Sequence, residues 1–205
     1  MKSPTRILLG VLAGVGLLAV AAVGWLAVAG ISARPAPSRL ETRLARAARH
    51  LLVPGRAQAA TNPLPTSVEV LASARLHFAD HCASCHGNDG RGDTQLGRNL
   101  YPRAPDMRLP ATQELSDGEL FWIIENGVRL TGMPAWGGPG PDDDVETWEL
   151  IHFIRHLTVL TAEEIEEMER HNPKSRAEFE EEEEIRRFLA GEDRGREEPP
   201  TTHRH

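Results

Sequence analysis

The stretch Cys82-Ala83-Ser84-Cys85-His86 constrains this chain more tightly than any other part of its 205 residues. Two thiols three positions apart can both reach the vinyl groups of one porphyrin and become thioethers. The imidazole that follows is then held beneath the ring, with a nitrogen aimed at the iron. The C-x-x-C-H pattern therefore reads as the attachment site of a c-type haem, one per chain, around which the fold has to close. Cys82 and Cys85 are the only cysteines. A structural zinc site needs four ligands, and no second C-x-x-C or close His pair accompanies these two. A redox dithiol belongs in a βαβ context, whereas these flanks are helical in pattern. A plain disulfide, open to an exported protein, leaves His86 unexplained.

The surrounding residues predict helices. Over Ser67–His81, Leu71, Ala74 and Phe78 share one face, leading to Cys82 at the next turn. Ser116-Asp117-Gly118-Glu119 reads as a capping box, Leu120–Ile124 continues it as an apolar run, and Asn126-Gly127 supplies the stop. Asp144–Leu157 is a further helix, with Val145, Trp148, Ile151, Phe153 and Ile154 inward and Asp142-Asp143-Asp144 suited to its N-terminus. The Gly-, Pro- and Asp-rich stretch Gly87–Pro110 is long for a connection, which wrapping a cofactor explains. Met133 lies 47 residues after His86, in Thr131-Gly132-Met133-Pro134-Ala135-Trp136. In a Gly/Pro loop it reads as a positioned thioether rather than as gap-filling core.

From about Ser67 to Leu160 the chain resembles a class I (mitochondrial-type) cytochrome c, in a membrane-anchored bacterial form. The attachment motif stands near the start, and the Met-Pro loop precedes the last helix. Ala74 and Phe78 fill the small and aromatic positions eight and four before the first Cys, although Gly is more usual at the first. The resemblance implies an all-α fold, three to four helices around a covalent haem. It makes Met133 the distal axial ligand opposite His86; Met107, Met168, His77, His81 and His152 are rivals without the same loop context. It implies that the first and last helices cross, with Phe78 near Trp148 or Phe153, and that a Pro carbonyl, from Pro102 or Pro105, accepts the other ring N–H of His86. Tyr101, Arg98, Arg103 and Trp136 are candidates for hydrogen bonds to the haem propionates.

With two axial ligands the iron has no open position, so the reading is single-electron transfer rather than independent catalysis. No Ser-His-Asp set, phosphate loop or paired acid/base carboxylates stands out. Two alternatives are an electron-entry subunit of a larger oxidoreductase and a haem-based redox or gas sensor.

Ile7–Ile31 is 25 residues without a charge, about 37 Å as a helix, against roughly 30 Å of bilayer hydrocarbon. An uncleaved anchor is favoured over a signal peptide, whose core is shorter, although Ala27-Val28-Ala29 suits a signal peptidase. The expected division is therefore 1–31 anchor, 32–66 linker, 67–160 cytochrome c domain and 161–205 acidic, partly helical extension. The linker carries six Arg and one Glu, which the positive-inside rule would keep in the cytoplasm. Haem attachment, outside the bacterial inner membrane in this family, instead places the domain in the periplasm on a single-pass anchor. Leu40, Leu44, Ala47/Ala48 and Leu51 form an apolar stripe that suits lipid headgroups or a partner. Net charge runs +7 over 1–66, then −7 over 67–160 and −7 over 161–205. An acidic outer part points to basic redox-protein partners, donor and acceptor, or a membrane respiratory complex, and away from nucleic acid. The tail, from Thr161-Ala162-Glu163-Glu164, is expected to be mainly a solvated acidic extension, helical where its apolar residues find a surface. His203 and His205 are too few for a metal-binding end.

Overall fold

The protein is described by a computed structural model over residues 4–30, 32–138 and 141–190; Lys2, Ile31, His203 and His205 lie outside the described residues. All regular structure there is helical. In chain order the helices are α1 (Pro4–Ala29), α2 (Arg39–Leu52), α3 (Gly55–Gln58), α4 (Val68–His77), α5 (Ala83–His86), α6 (Gln95–Asn99), α7 (Pro110–Gln113), α8 (Asp117–Asn126), α9 (Pro141–His156), α10 (Ala162–Glu169) and α11 (Arg176–Leu189). A π-turn, Phe78–Cys82, joins α4 to α5. The helix predicted to run unbroken to His81 therefore widens by a turn just before the attachment motif, a distortion often found at functional sites.

From Ile7 on, α1 is apolar all round and packs on no other part of the described chain, and Pro4–Val28 is long and apolar enough to cross a membrane, with a mean hydropathy of 2.5. α4 and α9 form the most extensive helix pair, as expected from the resemblance. Ala74, fully buried, gives α4 a smooth face, and Phe78 meets Phe153 with ring centroids 5.1 Å apart. Trp148 instead stacks on Phe121 of α8 at 4.2 Å. α8 starts and ends as predicted. Ser116 and Glu119 form the capping box, and Gly127 closes the helix with its N–H on the Ile123 carbonyl. The helix after the Met133 loop starts at Pro141; the Asp142 and Asp143 side chains lie outside the described residues.

Packing crosses two of the expected boundaries. Upstream, Val53 is buried, Ser116 Oγ donates to the Gln58 carbonyl, and Asn62 Nδ2 donates to the Trp148 carbonyl at 2.8 Å. His152 joins the Leu64 carbonyl and the Thr66 hydroxyl, both at 2.9 Å, which takes it out of the list of iron-ligand candidates. Gly118 permits this contact, since a Cβ there would stand 1.8 Å from the Ala57 carbonyl oxygen. Downstream, α10 lies on the core. Met168 is fully buried there, and Arg75 reaches Glu164 at 2.9 Å and Glu167 at 2.6 Å. α11 buries none of its residues. The tail thus divides: its first helix packs on the core through Met168, and its second is the solvated extension expected from the like charges.

Candidate haem-binding site

A cavity of about 500 Å³, walled largely by apolar atoms, gathers Cys82, Cys85, His86 and Met133, residues up to 51 positions apart in sequence. That volume is within the range of cofactor-sized pockets. Each wall has a local cause. Cys82 ends the π-turn and Cys85-His86 closes the single turn of α5. Thr94 fixes that turn from behind. Its hydroxyl lies 2.8 Å from the Ser84 carbonyl and 3.0 Å from the Cys85 carbonyl, while accepting from Gly97 N–H at 2.9 Å as the cap of α6. Gly97 must be glycine for this approach, because a Cβ would lie 2.2 Å from the Cys85 carbonyl oxygen. Gly92 N–H donates to the His86 carbonyl at 2.7 Å, so the long loop folds back under the motif.

The surroundings of His86 suit a neutral imidazole. Burial pushes its imidazole down to about 4, with the Pro105 carbonyl pulling the other way. A neutral ring keeps a lone pair available for a metal. Its Nδ1 is buried without a hydrogen-bond partner of ordinary geometry, and Pro105, not Pro102, is the proline whose carbonyl acts on the ring. Burial, with Cys85 adding to it, pushes the Cys82 thiol up to about 12, and the two sulphurs are not bridged to each other. An orphaned imidazole nitrogen, two unbridged thiols and an apolar cavity of cofactor size fit a haem. The thioethers would come from Cys82 and Cys85, and the iron ligands from His86 and a methionine thioether that lines the same cavity.

Met133 lines the cavity from the loop after α8. Its N–H donates to Thr131 Oγ1 at 3.1 Å and its carbonyl accepts from Val128 N–H at 3.1 Å. Trp136 N–H on the Ile124 carbonyl ties the end of that loop to α8. Met107, His77 and His81 also line the cavity, whereas Met168 is buried in the core beneath α10.

The propionate candidates separate. Tyr101, Arg103 and Trp136 line the cavity, with Trp136 edge-on to His81 at 5.6 Å. Arg98 does not. It pairs with Asp93 at 2.9 Å, a carboxylate five residues earlier that captures it on the outside of α6. Three charged lining residues that sequence reasoning missed come from α2: Glu41, Arg46 and Arg49. No motif marks them. The only signal was the basic excess of the linker, which lipid headgroups explained equally well.

Residues 69–154 match the family described as cytochrome c oxidase, cbb3-type, subunit III. Curated relatives include the cbb3-type cytochrome c oxidase subunit FixP of Rhizobium meliloti (strain 1021), 32% identical over 94 residues, which are 45% of this chain and 29% of that protein. Subunit FixPc of Rhizobium leguminosarum bv. viciae is also 32% identical over 94 residues, 45% of this chain and 30% of its own length. The chain thus aligns with under a third of the length of these relatives. A chain of the Kuenenia stuttgartiensis reducing HAO-like protein complex superposes with a TM-score of 0.41 at 22% identity over 46% of each chain, too loosely to argue from. The matched segment is a cytochrome c domain, and its cofactor is a covalently bound haem c with its iron.

Proposed function

We propose that this protein is a membrane-tethered single-electron carrier of the class I arrangement, with one haem c attached through Cys82 and Cys85 and His86 and Met133 as axial ligands. The observation that carries the reading is the meeting of these four residues in one apolar cavity. When bound, haem supplies a one-electron couple. The chain's residues do the rest. The neutral ring of His86 is oriented by the long loop, Met133 is presented by a loop pinned at Thr131 and Val128, and the apolar walls exclude water and disfavour the added positive charge of oxidised iron. A closed coordination sphere leaves no place for substrate, which favours a carrier over a catalyst.

The names of the relatives favour one of the alternatives drawn from the sequence, an electron-entry component of a membrane oxidase, and we adopt it as the setting for the carrier. α1 anchors the chain once in the bacterial inner membrane, N-terminus in the cytoplasm and haem domain in the periplasm. The basic linker runs against the positive-inside rule in this orientation, and the need to attach haem outside the inner membrane is what supports it. Met133→Ala is the test. It should abolish the ferric iron–sulphur charge-transfer band and lower the midpoint potential, while Met107→Ala should retain the band. A band that survives in Met133→Ala removes Met133 from the iron.

A further inference from the structure

We propose that α2, although it precedes the matched cytochrome c segment, is the wall of the cavity that binds the haem carboxylates, with Arg46 and Arg49 as their ligands. The inference rests on the reading that haem fills this cavity. α2 lies with its polar face inward. Glu41, Thr42, Ala45, Arg46 and Arg49 line the cavity, while Leu40, Leu44, Leu51 and Leu52 are 68%, 62%, 82% and 72% exposed on the other side. An amphipathic helix that turns its charged face to a largely apolar cavity needs a polar occupant there.

Arg49 shows the need most directly. Its Nη2 donates to the Ala111 carbonyl at 3.2 Å, but its Nε is buried without a hydrogen-bond partner. Burial lowers its pKa, Glu119 opposes that fall and the neighbouring Arg46 deepens it. Glu119 does not satisfy it: that carboxylate bonds His50 at 2.7 Å and Ser116 N–H at 2.9 Å, and makes no hydrogen bond to Arg49 Nε. Arg46 and Arg103 make no hydrogen bond or ion pair with another described residue. The cavity-lining charges are therefore Arg46, Arg49 and Arg103 against Glu41, whose carboxylate already accepts from the Tyr101 hydroxyl. That leaves an excess of two positive charges, and a haem carries two carboxylates. Charge-assisted bonds from guanidinium groups are the strongest available partners for them. The consequence is structural as well as electrostatic. The ties of α2 to the domain are mostly polar, so the bound haem becomes part of what holds the helix down.

The full chain in detergent, carrying its haem, tests this. Arg49→Gln and Arg46→Gln should lower the midpoint potential, because removing a nearby cation favours oxidised iron. Both should also move the pH-dependent step of the potential upward toward neutrality, because a carboxylate without its guanidinium protonates more readily. Amides of residues 39–52 should lose hydrogen-exchange protection. Arg49→Lys should retain part of the wild-type profile, and Arg43→Gln, on α2 outside the cavity wall, all of it. If Arg49→Gln fails to fold, Arg46→Gln decides, because its guanidinium makes no hydrogen bond or ion pair with another described residue. Glutamine variants with the Arg43→Gln profile and normal haem attachment overturn the inference alone. A wild-type chain without covalent haem overturns the reading of the site and the inference with it.

Discussion

The matched segment and the flanks that pack on it are held by different means. Inside the segment the contacts are apolar and broad: Phe78, Ile151 and Phe153 are each at most 1% exposed and belong to one core cluster. The helix on each flank, α2 with its cap and α10, adds one buried apolar plug and a set of polar ties. Upstream the plug is Val53, with Arg49, His50, Asn62 and Leu64 bonded to the domain. Downstream it is Met168, with Glu164 and Glu167 on Arg75. An apolar core fails as a unit, whereas an element held by one plug and a few charged bonds can be released by itself. The electron-transfer centre therefore sits in the cooperative part, and the elements that reach toward membrane and solvent are the separable ones.

The largest effect should come from the core. Phe78→Ala removes a ring that packs on Phe153 and also lines the cavity, and should destabilise the domain by about 3–5 kcal/mol. Denaturant unfolding of the haem-loaded chain measures it; a loss below about 1 kcal/mol would show that the α4–α9 crossing is not the cooperative core. Met168→Ala follows. A fully buried Met costs about 2–5 kcal/mol on truncation, and the separable flank predicts the lower end of that range. Hydrogen exchange should show protection lost over residues 162–169 and kept in α4 and α9. Equal loss in all three helices would make α10 an integral part of the core.

The same contrast governs what could be read from sequence. Features specified by neighbours were legible. The capping box at Ser116, the stop at Gly127 and the attachment motif are each written within a few residues. Phe78 and Phe153 were legible through helical spacing and the family resemblance. What failed depended on three-dimensional choices that spacing does not fix, some of them between near neighbours. Arg98 looked free until Asp93 took it, and α4 looked continuous until the π-turn set Cys82. The stripe of α2 revealed two unlike faces but not which one meets the domain; the apolar face was expected to find a surface, and the charged face lines the cavity. Pro102 and Pro105 are equivalent on paper, and only loop closure over His86 separates them. The tail was read as solvated except where apolar residues, Met168 among them, find a surface; Met168 in α10 finds one, and α11 buries none of its residues.

Acid should release α10 before it unfolds the core. Burial pushes the Glu164 carboxyl up, but the Thr161 N–H, His156 and Arg75 outweigh it and hold its pKa below the usual value. The carboxyl is therefore more acidic folded than unfolded. Its stabilisation is whole above the unfolded value of about 4.3 and is lost as pH falls through the lower folded one. Exchange over residues 162–169 should quicken across that window while α4 stays protected, and Glu164→Gln should remove the pH dependence. A Glu164→Gln protein with the wild-type acid profile would assign the release to another group.

The smallest effect is the sharpest check on where the domain ends. In α11, Phe179, Ile185, Phe188 and Leu189 are 59%, 51%, 70% and 78% exposed, so their apolar atoms have left little water behind on folding. The helix is supported from within instead, by its Ser175 capping box and by pairs such as Arg176 with Glu180 at 2.8 Å. Such pairs set the local helix content without linking it to the core. Phe188→Ala should accordingly change the unfolding free energy by no more than about 0.5 kcal/mol, against the several expected at Phe78. The same substitution in membranes containing a redox partner separates two roles for that row of side chains. An unchanged electron-transfer rate leaves α11 a solvated extension, and a lowered rate with unchanged stability makes its apolar row a contact for the partner.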